Sequence, residues 1–284
     1  MNNDIFPCLW CDGNAKESAA FYCQVFDGKV TADTPMVQNI ELFGQKLMLL
    51  DAGPHFEKNP SISFLVNCAS EDEVQKYWDM LSEGGMVLMA LDSYPWSKKY
   101  GWLKDKYDTT WQLYFGEMQE QRIVPTLMFM HQNNGKAMEA MEFYTGIFPN
   151  SKIEGIMKYK EGGENGEIPE NIQHAQFIIN NYTMHCMDSS FDHQFDFSEG
   201  ISLVVMTDDQ HETDHFWNSL ISGGGRESMC GWLKDPYGVS WQIVPKRLIE
   251  LMNDSDPEKS QKIFQAMLKM QKIVIADLEE AYRS

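Results

Sequence analysis

A few groups of side chains in this sequence have the types and spacing for chemistry. His174, in Gln173-His-Ala-Gln176, and the adjacent pair His185-Cys186 fall on two consecutive segments that read as strands. A neutral imidazole accepts a proton or coordinates a metal near its ordinary pKa of about 6.5. Adjacent strand residues alternate in direction, so one of His185 and Cys186 must face inward. His174 is then either an ordinary hydrogen-bonded strand histidine or a ligand-binding residue and general base. His211-Glu-Thr-Asp-His215 matches the H-E-x-x-H zinc pattern by letter. Its two histidines, however, lie about 120–160° around a helix from the core-facing Trp217, which puts them on a solvated face. Cys8-Leu-Trp-Cys11 matches C-x-x-C, but residues three apart on a strand point to opposite faces, and no second such pair follows. Structural thiols are the expectation there.

The elements that must position these residues come from a long internal duplication. Gly101-Trp-Leu-Lys-Asp-Lys-Tyr-Asp-Thr-Thr-Trp-Gln112 and Gly231-Trp-Leu-Lys-Asp-Pro-Tyr-Gly-Val-Ser-Trp-Gln242 share eight of twelve positions at an offset of 130. Ile62-Ser-Phe-Leu-Val66 matches Ile201-Ser-Leu-Val-Val205, and Phe21-Tyr22 with Phe26 match Phe143-Tyr144 with Phe148. A period this long means whole repeated domains rather than a solenoid. Alternation predicts strands at Ile5–Cys11, Val37–Leu42, Lys46–Leu50 and Ile62–Asn67. Helical spacing predicts Asn14–Phe26 and a helix capped by Ser70 with Glu73 three residues on. Three short strands follow, the last ending at Phe115. The second copy repeats this order with a longer acidic insertion at Glu161–Glu167, so the chain holds four βαβββ units. The expected fold class is α+β: two tandem domains over 1–118 and 119–250, each a curved, mainly antiparallel sheet around a cleft, and a helical tail over 251–284. In that tail Asp256-Pro-Glu258 starts a helix. An apolar stripe from Ile263 through Met267, Met270, Ile273, Val274 and Leu278 to Tyr282 predicts that it docks on the chain or on a second copy.

Forty-two acidic against 23 basic side chains give a net charge of −19, which repels phosphate backbones and anionic lipid; neither nucleic acid nor membrane is an expected partner. Six sparse cysteines and an N-terminus without a basic, then apolar, leader pattern point to the cytoplasm. Nineteen Met and 12% aromatic residues suggest an adaptable interior. Trp10, Trp96, Trp102, Trp111, Trp232 and Trp241 are core residues by default, with Trp10 also a candidate ligand contact.

The βαβββ order, the opening Phe6-Pro-Cys-Leu-Trp-Cys-Asp-Gly-Asn-Ala15 and the closing Asp235-Pro-Tyr-Gly-Val-Ser-Trp-Gln-Ile-Val-Pro245 resemble the PhnB-like branch of the glyoxalase/bleomycin-resistance/dioxygenase (vicinal oxygen chelate) superfamily. Many members of this branch carry the name 3-demethylubiquinone-9 3-methyltransferase. The resemblance implies a cleft that takes a small molecule, pairing of such domains, here satisfied inside one chain as a pseudo-dimer with a homodimer as a further option, and in the metalloenzymes a Glu ligand on the last strand. At that position this sequence has Gln112 and Gln242, and the first strands offer neither His nor Glu. A neutral amide brings no charge to a cation, so no standard metal site is expected.

The leading expectation is therefore a small-molecule-binding protein, its ligand candidates being His174, Gln242, Gln112, His185, Cys186 and Trp10. The alternative is a lyase, isomerase or dioxygenase holding a divalent metal through His174. A structural partner with no ligand is the third reading. Methyl transfer has no support in the residues: Gly223-Gly-Gly225 follows a helix instead of preceding one, and Gly162-Gly163 lies in an acidic loop.

Overall fold

The computed structural model describes residues 4–160 and 166–284, so residues 161–165 of the acidic insertion, with Gly162-Gly163, lie outside the described residues. Four βαβββ modules follow one another. The first comprises β1 (Ile5–Cys11), α1 (Ala15–Val25), β2 (Lys29–Asp33), β3 (Val37–Leu42) and β4 (Gln45–Asp51). The second has β5 (Ile62–Cys68), α2 (Glu71–Ser82), β6 (Met86–Tyr94), β7 (Ser97–Lys104) and β8 (Thr110–Phe115). In the third are β9 (Ile123–Phe129), α3 (Ala137–Ile147), β10 (Lys152–Lys158), β11 (Ile172–Ile179) and β12 (Tyr182–Asp188). The fourth has β13 (Ile201–Thr207), α4 (Gln210–Ile221), β14 (Arg226–Glu227), β15 (Trp232–Lys234) and β16 (Ser240–Pro245). Helices α5 (Lys246–Met252), α6 (Pro257–Met267) and α7 (Ile275–Arg283) close the chain. This is the α+β architecture expected from the sequence. The chain divides into two compact units, Pro7–Ile201 and Asp4–Phe6 with Ser202–Ser284.

The larger unit contains an eight-stranded sheet in the order β10-β11-β12-β9-β5-β8-β7-β6. β12 with β9 and β5 with β8 run parallel; the remaining neighbours are antiparallel. Modules two and three thus share one sheet, joined by β5 and β9, with Ser63 opposite Thr126. The sequence leads one to look for a cleft inside each repeat; the hydrogen bonding instead takes half of this sheet from each. The reason is the short link at 116–122. It needs to hop only one strand, about 10 Å, to lay β9 against the free edge of β5. Three side chains pin that hop. Arg122 donates to Asn67 O at 2.9 Å, pairs with Glu73 at 2.6 Å and stacks 4.0 Å above the Phe43 ring. Gln121 exchanges bonds with Thr183 N and O, and Gln45 with Ile123 N and O. The same unit contains β1 (from Pro7 on) parallel to β4, with β4-β3-β2 antiparallel beyond it.

The most strongly repeated stretch turns out to be a structural device. Asp105 Oδ1 accepts from Tyr107 N at 2.8 Å and Thr109 N at 3.1 Å, and Oδ2 from Trp111 Nε1 at 2.8 Å. In the smaller unit Asp235 does the same with Tyr237 N, Val239 N and Trp241 Nε1, at 2.9, 3.0 and 2.9 Å. Each carboxylate closes the turn before the last strand of its module and ties a fully buried Trp to it.

The smaller unit orders its strands β14-β15-β16-β13, and Met206 N donates to Asp4 O at 2.7 Å. On α4, Thr213, Phe216, Trp217 and Leu220 are buried, whereas His211 and His215 are exposed, as the helical period demands. The tail docks on this unit but is not one helix. Asp256 caps α6 through Glu258 N at 3.0 Å with Pro257 in the first turn. The chain then leaves the helix so that Met270 O and Gln271 O can accept from Cys230 N and Gly231 N, at 2.7 and 2.8 Å. Gly231 sits at φ +84°, and a Cβ there would meet Ile243 O at 2.8 Å. Ile263, Ile273 and Leu278 form a buried cluster with Leu248 and Leu251.

Candidate functional site

The helices of the larger unit cover one face of its eight-stranded sheet. Tyr144 of α3 stacks on Phe177 of β11, and Tyr22 and Phe26 of α1 pack against Trp111 of β8. Strand neighbours alternate, so Gln176 and Gln112 point to the opposite face. Register carries a row of side chains across that face. Trp102 lies opposite Gln112, Ser63 opposite Thr126, Thr126 beside His185 and His185 opposite Gln176. Cys186 opposes Ala175 on the helical face, where burial pushes its thiol far up and makes it inert as a nucleophile.

The row is uncharged; Ser63, Gln112, Thr126 and His185 are buried, and Trp102 and Gln176 half-buried. Tyr100 donates its hydroxyl to Gln112 Oε1 at 2.8 Å, and Gln112 Nε2 donates to Ser63 Oγ at 2.7 Å. The His174 and His185 rings meet edge to face with centroids 4.6 Å apart. His185 Nε2 lies 3.1 Å from Gln176 Oε1. Three buried polar atoms on this face have no partner: Trp102 Nε1, Thr126 Oγ1 and His185 Nδ1. Each such orphan costs about 1–3 kcal/mol. All three lie on one face of one sheet.

Burial pushes His185 well below the ordinary imidazole value, and the neighbouring His174 adds to the effect; burial lowers His174 as well. With the folded value below the unfolded one of about 6.5, the unfolded chain takes the proton first as pH falls. The stability tied to His185 is complete above about pH 6.5 and is lost as pH falls through the folded value. His185→Gln is therefore expected to flatten the acid-side decline of the melting temperature. A scan of thermal unfolding against pH checks it; an unchanged slope contradicts the assignment.

The other candidates from the sequence lie elsewhere. Gln242, on β16 of the smaller unit, donates to Ser202 Oγ at 2.9 Å and faces Trp232, repeating the Gln112–Ser63–Trp102 pattern. Trp10 donates to Gly53 O at 2.6 Å and packs against Phe56, anchoring a loop of the larger unit outside the row. Register sets the pairing of repeats here: the counterpart of Asn39, which faces Met48, is Gln176, which faces His185. Ser63, Thr126 and Gln176 escaped the sequence reading. One signal was available, since Ser63 and Ser202 stand at matching places inside otherwise apolar strands.

The sequence model of the family described as 3-demethylubiquinone-9 3-methyltransferase matches residues 3–114 and 121–244. The chain belongs to this family. Among solved structures, a putative 3-demethylubiquinone-9 3-methyltransferase, PhnB protein, from Bacillus cereus is 33% identical. That alignment covers 38% of this chain and 96% of the other, with a TM-score of 0.36. Glyoxalase I from Zea mays is 11% identical over 84% of this chain and 91% of its own, with a TM-score of 0.57, and shares the fold. No curated protein matches the chain. Among the described residues, no cluster of three or more His, Cys, Asp or Glu is placed to hold a metal, and no helix is long and apolar enough to cross a membrane. The donors of the row do not suit a hard divalent cation: none of Ser63, Gln112, Thr126 and His185 carries a charge to offset it, and the Gln112 amide is engaged at both ends. The three glycines at 223–225 follow α4 and form its terminal turn, with Gly223 at φ +76° and Gly224 at φ +120°, so the methyltransferase in the family's name finds no cofactor turn there.

Proposed function

We propose that this family member binds a small organic molecule along the row Trp102–Gln112–Thr126–His185, with His174 alongside, and does so without a metal. The three orphaned buried atoms carry this reading: a ligand that meets them recovers desolvation already spent in folding. The row takes one module from each repeat, so a single chain completes it without a second copy. Gln242 with Ser202 and Trp232 is the corresponding arrangement in the smaller unit and is a weaker candidate, because no histidine stands in the row that its own strands form. A cytoplasmic location belongs to the same reading, on the sparse cysteines. A fragment screen by ligand-observed NMR, repeated on His185→Ala, tests it. Hits that saturate the wild type and lose at least about tenfold in affinity on the variant are expected, the loss of one well-placed hydrogen bond to a buried group. Hits indifferent to the substitution would sink the assignment.

A further inference from the structure

We infer, resting on that reading, that the ligand of the row is an uncharged molecule that brings a hydroxyl or N–H donor to His185 Nδ1. The donor requirement follows from a relay that begins at the protein surface. Lys152 Nζ lies 2.7 Å from one carboxylate oxygen of Glu154, and the other accepts from Gln176 Nε2 at 2.6 Å. The Lys152 ammonium, followed by the Gln176 amide, holds Glu154 below the ordinary carboxylate range, so it is ionised. An ionised carboxylate only accepts, so the Gln176 amide nitrogen must face it. The Gln176 oxygen is thereby turned toward His185 Nε2 at 3.1 Å and Gln119 Nε2 at 3.2 Å. That oxygen also only accepts, which places the His185 proton on Nε2. Nδ1 is then a lone pair, buried and unanswered.

The charge requirement comes from the composition of the row. Ser63, Tyr100, Trp102, Gln112, Thr126 and His185 include no formal charge, and their polar atoms are buried. An anion there would need an Arg or Lys and a cation a carboxylate, or desolvation would expel it. Glu154 and Gln176 act through His185 and are positioning residues, not ligand contacts.

The test uses the full chain, labelled with ¹⁵N at its imidazoles and indoles, and three probes: 4-hydroxyacetophenone, its methyl ether 4-methoxyacetophenone, and 4-hydroxybenzoate. Expected results are an Nε2–H tautomer for His185 in the free protein and saturable binding of 4-hydroxyacetophenone that moves the His185 Nδ1 signal. The ether, lacking the donor, and the benzoate, carrying a charge, should bind much more weakly. Glu154→Met, which leaves the row itself untouched, should populate the Nδ1–H tautomer and weaken 4-hydroxyacetophenone by about fivefold, the cost of one misaligned hydrogen bond. An Nδ1–H tautomer in the wild type, equal binding of the ether, or preference for the benzoate overturns the inference while the row survives as a binding site. No response of any row signal to any of the three probes removes both.

Discussion

Asp105→Ala should lower the stability of the larger unit by about 3–5 kcal/mol, a large share of the roughly 5–15 kcal/mol typical of a folded domain. The carboxylate is buried and takes three hydrogen bonds, two from backbone N–H groups and one from the Trp111 indole. Its removal leaves all three donors without a partner in a closed turn, at about 1–3 kcal/mol each before relaxation. Asp105→Asn cannot repair the loss. Both carboxylate oxygens accept, and an amide would turn a donor toward either Trp111 Nε1 or the backbone pair. About 2 kcal/mol of destabilisation is expected for it. Burial, against the pull of the donors, raises the Asp105 carboxyl above its ordinary value. Its contribution is thus greatest below the unfolded carboxylate range, about 3.9, and declines as pH rises through the folded value. The gap between wild type and Asp105→Asn should therefore narrow with rising pH over that window. Urea unfolding of both variants checks this; a loss under about 1 kcal/mol for Asp105→Ala would mean that water replaces the carboxylate.

Thr126→Val should do the opposite to stability and damage binding. The Thr126 side chain is almost wholly buried, at 2% exposure, and its hydroxyl has no partner. Valine has the same shape and no orphan to desolvate, so the free protein should gain about 1 kcal/mol. That gain corresponds to a rise of about 2–4 °C in the melting temperature for a unit of this size. The same change removes a polar contact from the middle of the row, so affinity for a ligand that spans it should fall about tenfold. A hydroxyl kept for internal packing would show the reverse sign, with Val destabilising the fold. Melting curves and titrations on one sample separate the two, because a structural role cannot raise stability and lower affinity together. Such a trade is expected where a protein holds polar groups ready for a partner.

The fold was largely legible in the residues. Alternation and helical spacing located the strands and helices of each module, and the duplicated Gly-Trp-Leu-Lys-Asp stretch exposed the repeat. That stretch could suggest a site, because it is where the two copies agree best. Its agreement comes from the Asp105 and Asp235 turns, which the fold needs in both units. Even identical letters answer to different causes. A Cβ on Gly101 would run into the Trp78 ring, whereas Gly231 is required by its positive φ. The tail stripe is apolar at helical spacing, yet the helix ends at Met267, and the Met270 and Gln271 carbonyls beyond it accept from Cys230 and Gly231 instead of from a further helical turn. Local periodicity has no access to that competition.

The sequence by itself determined the element types, the duplication, the lack of charged ligands at Gln112 and Gln242, and the interest of His174 and His185. Those properties are local: residue type, spacing within a strand or helix turn, and similarity between copies. Tertiary structure alone decided which modules share a sheet, and with that which residues meet. The β5–β9 pairing places Gln112 of the first repeat and His185 of the second on one face, and leaves Gln242 in the other unit. It also decided which of His185 and Cys186 faces the row, and fixed the His185 tautomer through Gln176 and Glu154 on two other strands. Strand pairing is set by the free edge that a short link can reach, and a hydrogen-bond relay by what lies across the sheet. Both are contacts between residues far apart in the chain, which spacing along it does not encode.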